Sequence, residues 1–157
     1  LLKVQEKKGL FCIVGEGRYL AQFKEEIQKL QVEEYFCLIS RQPATRIPEL
    51  LAAADAAFLS FMETKLFEMT IPAKLQSYMA CGMPVIAAAG GESRRVIEEA
   101  ECGFSTPSGD EKALAESIVR MMQLSEDKLQ EMKNNARAYF EKNFEKRISR
   151  CTDCRDV

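Results

Sequence analysis

The residues whose types and spacing bear on chemistry gather in one stretch, Thr70 to Ala87, which reads TIPAKLQSYMACGMPVIA. Thr70 is a helix-capping residue type, and Pro72 falls in a first helical turn, where a missing N–H costs no hydrogen bond. Leu75, Tyr78 and Met79 repeat at the three and four spacing of an apolar helix face. Gly82 and Pro84 then end the helix, and Pro84 to Ala87 begins a short buried strand. The first turn of such a helix presents backbone amides without an intrahelical acceptor, and Lys74 adds a full positive charge within a turn of that end. Amides and a cation at one helix terminus attract an anion, and the predicted ligand is a phosphate.

Other chemistries are excluded by what the chain lacks. It has no histidine, which removes the commonest general base and every Ser-His or Cys-His nucleophile. Of six cysteines, Cys12 and Cys37 lie in apolar strand-like runs and Cys81 lies in the central helix, so they read as reduced, buried hydrophobes. Cys151 and Cys154 form a CxxC with no second pair beside it, and no metal is expected. The 22 basic and 24 acidic residues are interspersed, so no nucleic-acid partner is expected. No apolar run approaches the roughly 20 residues that cross a bilayer, and the start lacks the pattern of a signal peptide. The expected location is the cytosol.

The elements that must position Lys74 and its neighbours read as alternating strands and helices. At 157 residues and 46% hydrophobic, the chain suits one domain with a proper core, expected over residues 1–146 with a polar tail at 147–157. Leu1 to Lys8 reads as the last turns of a helix whose beginning is not in this sequence, so the chain reads as a piece of a longer protein. Leu10 to Val14 is a continuous apolar run, expected as a parallel strand covered on both faces. Gly15-Glu16-Gly17 turns it into a helix from about Arg18 to Leu30. Tyr35 to Ile39, Ala56 to Ser60, Val85-Ile86 and Gly103 to Thr106 are the further strands. Between them lie helices at Arg46 to Ala54, after Thr70, and at Glu92 to Ala100, with Ala88 to Gly91 as a flexible turn. Asp110 and Ser125 cap two final helices. The alternation predicts an α/β fold, a doubly wound parallel sheet.

In such a sheet ligands sit outside the carboxyl ends of the strands. The candidate loops are Gly15 to Arg18, Ser40 to Arg46, Ser60 to Thr70 and Ala87 to Glu92, with Arg41, Arg46 and Lys74 to supply charge. Two glycine turns and a helix N-terminus on one edge suit a nucleotide diphosphate. Gly15-Glu16-Gly17 is not a complete dinucleotide fingerprint, because Leu20 stands where a third glycine belongs.

VGEG at Val14 to Gly17, AAAD at Ala52 to Asp55, PAKLQSYMACGMPVIA at Pro72 to Ala87, GGESRRVIEEAECG at Gly90 to Gly103, and Pro107 with Asp110 occur in a recognisable order. Over Leu10 to Phe144 they resemble the C-terminal, nucleotide-sugar-binding domain of retaining family 4 glycosyltransferases of the GT-B fold, especially bacterial members that build polysaccharides. The resemblance implies a nucleotide-diphosphate-sugar donor, a UDP-sugar, and no metal ion. It also implies a glycan or lipid-linked acceptor held by an N-terminal domain absent here, through which contact with the inner membrane would be made. It places phosphate contacts at Ile71, Ala73 and Lys74, with Thr70, Gly15 and Gly17 as further donor-binding candidates, and base contacts at Arg41, Gln42 and Arg46. Two family glutamates, one near the donor sugar and one on the ribose, fall at Met69 and Ser77, so neither is present. Glu68, one residue early, is the substitute for the first, and Ser77 offers the ribose one hydrogen bond. Glu92 is a further donor-contact candidate.

Two other classes fit parts of the pattern. A non-catalytic nucleotide-binding or interaction module would tolerate the loss of both glutamates. A sugar-nucleotide epimerase would share the architecture but needs acid and base residues that the sequence does not offer. A dinucleotide oxidoreductase would require an acidic residue after the second strand, where Ser40 and Arg41 stand.

Overall fold

The apolar runs form parallel strands, and the amphipathic runs form the helices between them, in a computed structural model that describes residues 9–61 and 68–145. In chain order these are β1 (Phe11–Val14), α1 (Leu20–Leu30), β2 (Phe36–Ile39), α2 (Ile47–Ala52), β3 (Ala57–Ser60), α3 (Ala73–Ala80), β4 (Val85–Ala88), α4 (Gly91–Glu99), β5 (Gly103–Thr106), α5 (Glu111–Met122) and α6 (Glu126–Phe140). The helix expected at Leu1 to Lys8, most of the loop from Phe61 to Met69, and the tail with Cys151 and Cys154 lie outside the described residues. The chain divides into two compact units, Leu1–Ile47 and Pro48–Val157.

In the first unit β1 and β2 pair in parallel, with Phe11 opposite Phe36, Cys12 opposite Cys37 and Val14 opposite Ile39. One face of this ladder is aromatic: Phe11 stacks on Phe36 at 5.5 Å, and Phe23 of α1 meets Phe36 edge-on at 5.4 Å. The opposite face is covered unevenly, with Cys37 and Ile39 of β2 half-buried, and the expectation of a first strand covered on both sides fails. Cys12 and Val14 are exposed. In β1 exposure follows the strand period, with Phe11 and Ile13 half-buried on the aromatic side, whereas Leu38 of β2 is exposed on that side. Helix α1 starts at Leu20 rather than Arg18 and stops where Gln31 adopts a left-handed conformation, φ 53°.

In the second unit the strand order is β3-β4-β5, all parallel. β4 lies in the middle, and all four of its residues are buried, as a continuous apolar run requires when helices cover both faces. On one side Leu59, Val85 and Ala87 pack with Leu75 and Met79 of α3, Val96 and Ile97 of α4, and Ala136 of α6. On the other, Ile86 packs with Met121 of α5 and Met132 of α6. Each fully buried Leu, Ile, Met or Val contributes about 1.5 to 3 kcal/mol. Gly103 is required at its place, since a Cβ there would collide with the Val85 backbone on β4. Both expected caps form: Asp110 accepts from the Ala113 amide at 2.9 Å, and Ser125 accepts from the Lys128 amide at 3.3 Å. Cys81, expected to be buried, is exposed at the C-cap of α3. A helix terminus turns its last residue away from the packed face, and Met79 fills that face instead.

Candidate functional site

The carboxyl edge of the three-stranded sheet is stitched by hydrogen bonds running from strand to strand. The Phe61 amide donates to the Ala88 carbonyl at 3.2 Å and the Ala89 amide to the Thr106 carbonyl at 3.0 Å. The hydroxyls of Ser105 and Ser108 donate to the carbonyls of Ala89 (2.9 Å) and Ala88 (3.3 Å). Onto this edge the loop after β3 delivers Glu68, Met69, Thr70 and Ile71, and then α3.

Helix α3 begins two residues later than the sequence suggests. Its N-cap is Pro72, at φ -64° and ψ 144°, and Thr70 does not cap it. The helical region is disfavoured for a residue before proline, which works against Ile71 as the first helical residue and so against Thr70 as its cap. Ile71 stays in the loop, and its carbonyl accepts from the Gln76 side chain at 3.3 Å. The donor set therefore shifts from the amides of Ile71 to Lys74 to those of Ala73, Lys74 and Leu75. These precede Gln76, whose amide makes the first helical bond, to Pro72 at 3.3 Å. Pro72, as the N-cap, offers the turn no side-chain acceptor of its own. Lys74 is exposed, and no ion pair among the described residues engages it. Ser77 is exposed, and its hydroxyl donates back to the Ala73 carbonyl at 3.0 Å, which commits its proton within the helix.

Glu68 is brought against the start of α4. Gly91, the first residue of that helix, has φ +57°, and a Cβ on it would strike the Glu68 backbone. The expected flexible turn at Gly90-Gly91 is instead a close contact that holds the Glu68 main chain beside the α4 terminus. In the sequence the two adjacent glycines after a strand signal a turn but not the contact that Gly91 makes. Met69, next in the loop, is 79% exposed.

Glu92 lies in the first turn of α4, whose N-cap is Gly90. Arg95 grips the Glu92 carboxylate through Nη2 at 2.6 Å and Nε at 3.0 Å, and reaches Glu99 through Nη1 at 2.6 Å. The Arg95 guanidinium holds both carboxyls below the usual range. Any donor contact by Glu92 must compete with that pairing. Tyr139 of α6 completes the group by donating its hydroxyl to Glu99 at 2.9 Å. Ser93, next in α4, is fully buried, and its hydroxyl finds no partner among the described residues.

The remaining candidates belong to the first unit, at the carboxyl edge of the two-stranded sheet. The Gly15 amide donates to the Ile39 carbonyl at 3.0 Å, which holds the glycine turn beside the loop after β2. Gly15, at φ +137°, needs glycine for its backbone, whereas neither crowding nor φ demands it at Gly17. In the neighbouring loop Gln42 donates to the Ser40 carbonyl at 3.1 Å and accepts from Arg46 at 3.4 Å, while Arg41 is exposed. Gln42 is thus a brace that positions Arg46. The structure groups Gly15, Gly17, Arg41, Gln42 and Arg46 in one unit, and Glu68 to Ser77 with Glu92 in the other.

Residues 1–139 match the family described as glycosyl transferases group 1. WcaL of Escherichia coli (strain K12), named as a colanic acid biosynthesis glycosyltransferase, is 26% identical over 148 residues, which are 94% of this chain and 36% of that protein. The amylovoran biosynthesis glycosyltransferase AmsK of Erwinia amylovora is 31% identical over 124 residues, 78% of this chain and 30% of that protein. The chain thus spans about a third of the length of these relatives. Among solved structures, WaaG, a glycosyltransferase involved in lipopolysaccharide biosynthesis, superimposes with a TM-score of 0.68 at 22% identity, covering 86% of this chain and 34% of that one. Anabaena Alr3699/HepE, solved in complex with UDP, gives 0.72 at 23% identity, covering 93% and 41%. At these identities the two structures establish the fold.

Proposed function

Because the chain belongs to the glycosyl transferases group 1 family, we propose that it is the donor-binding domain of a retaining GT-B glycosyltransferase of polysaccharide biosynthesis. The donor is a nucleotide-diphosphate sugar, a UDP-sugar, and the acceptor is a glycan or a lipid-linked glycan bound by a domain outside this sequence. The observation that carries this reading is the N-terminus of α3: three amides without intrahelical acceptors and the exposed Lys74 in the same turn, all at the carboxyl edge of the sheet. When the sugar–phosphate bond breaks, negative charge grows on the leaving diphosphate. Fixed amide dipoles and one ammonium stabilise that charge without having to reorient. The scheme calls for no protein nucleophile and no metal, which accords with a chain devoid of histidine. Glu68 is assigned to the donor sugar, and Arg41, Gln42 and Arg46 are assigned to the base.

HepE, a protein of similar fold, was solved in complex with UDP, and UDP is therefore the ligand to try first. Calorimetric titration with UDP, GDP and NAD is expected to show preference for UDP. Lys74→Ala should weaken UDP binding roughly ten- to hundred-fold, as loss of a charge-assisted hydrogen bond of about 1.5 to 3 kcal/mol requires. In the full-length protein Glu68→Ala should lower sugar transfer while leaving UDP affinity near wild type. Unchanged UDP affinity in Lys74→Ala would overturn the phosphate assignment.

A further inference from the structure

One face of the β1–β2 ladder carries two thiols side by side. Cys12 and Cys37 are direct partners in the parallel register, so their Cβ atoms leave the same face of the sheet. Neighbouring strands lie about 4.7 to 4.9 Å apart, inside the roughly 4.4 to 6.8 Å range of Cα separations that a disulfide spans. Both cysteines are free thiols; Cys12 is exposed and Cys37 half-buried. The thiols also sense each other: burial first, then the charge and hydrogen bonding of Cys37, push the Cys12 thiol upward. Nothing in the proposed donor chemistry uses either residue.

We propose that Cys12 and Cys37 are a reversible dithiol site, closed to a cross-strand disulfide by a small-molecule disulfide oxidant of the glutathione type. One cysteine thiolate attacks the oxidant's S–S bond, forming a mixed disulfide and expelling one thiolate. The second cysteine then attacks the protein sulfur of that mixed disulfide and expels the other. Two electrons pass from the cysteine pair to the oxidant, whose two sulfurs leave as thiols carrying the two cysteine protons. The fit is imperfect, because straight parallel strands hold Cβ atoms somewhat farther apart than the roughly 3.8 Å of a relaxed disulfide. A bridge formed there is strained, which puts it among the readily reduced, labile disulfides rather than the permanent structural ones. The bridge would fasten β1 to β2 three residues below Gly15 and two below Ile39, whose backbones are already hydrogen-bonded.

The other thiols of the described residues supply internal controls. Cys102 is fully buried, and burial pushes its thiol up to about 11, so it should stay unreactive at neutral pH. Cys81 is exposed without a cysteine opposite it and should stop at the mixed disulfide. The test is treatment of the full-length protein with oxidised glutathione, alkylation of the remaining thiols, and peptide mapping by mass spectrometry. The expected result is a linked Cys12–Cys37 peptide pair that a low concentration of dithiothreitol releases, with Cys12→Ser leaving a lasting glutathione adduct at Cys37. Phenylarsine oxide, which requires two adjacent thiols, should protect both residues together from alkylation in the wild type and neither in Cys12→Ser. Independent alkylation of the two cysteines, persistent separate adducts, or pairing of either with another cysteine would overturn the proposal.

Discussion

A methyl group added at position 91 meets the Glu68 backbone, and the helix that begins there needs a positive φ at its first residue. Both effects act in one direction. Left-handed backbone costs an ordinary residue about 1 to 2 kcal/mol, and forced overpacking adds roughly 1 to 3 kcal/mol more, so Gly91→Ala should destabilise the second unit by about 2 to 5 kcal/mol. Urea denaturation followed by circular dichroism would measure the loss; about 1 to 2 kcal/mol would mean that the loop carrying Glu68 moves aside and only the backbone cost remains, and a change below about 0.5 kcal/mol would contradict both effects. Position 91 is also where residue types speak least: a pair of glycines announces a turn but not which backbone one of them must admit. Lys74 is the opposite case. Its place in the first turn of α3 was legible from the proline two residues before it.

Among elements, the termini repay attention. Asp110→Ala removes the 2.9 Å acceptor at the start of α5 and should cost about 1 kcal/mol, read as a lowered midpoint in thermal denaturation. Ser125→Ala, with its acceptor at 3.3 Å, should cost less; the reverse ranking would count against the assigned geometry. Helix α4 is tied to α6 through Arg95, Glu92, Glu99 and Tyr139. The carboxyls of Glu92 and Glu99 are lowered in the folded chain by Arg95 hydrogen bonding and charge. Their contribution is therefore present above the ordinary carboxylate pKa of about 4.3 and is lost as pH falls through the lowered values. Tyr139 is raised, by burial first and then by Glu99. Its contribution holds below the ordinary tyrosine pKa of about 10 and disappears as pH climbs through the raised value. In Glu99→Gln, NMR titration of tyrosine ring carbons should find Tyr139 titrating lower than in the wild type, though still above an exposed tyrosine. An unmoved Tyr139 would show that burial alone sets its titration.

At the scale of the whole molecule, burial is unequal: Ile27 is the one described core residue of the first unit, and the rest belong to the second. Amide exchange should follow that division, with β4 among the slowest segments and β1 and β2 exchanging distinctly faster. Equal protection of β1 and β4 would contradict it. By itself the sequence determined the local elements: the apolar runs that became strands, the Asp110 and Ser125 caps, the apolar face of α3, and the parallel α/β class. Propensity, period and capping act over a few residues, so they can be read from a few residues. Only the tertiary structure decided which faces of those elements are covered. It left Cys12 and Cys81 open, locked Gly91 against Glu68, paired Glu92 with Arg95, and put the α3 cap at Pro72 rather than Thr70. Each of these depends on what a distant or neighbouring segment places beside a residue, and burial or pairing belongs to that meeting rather than to either segment alone.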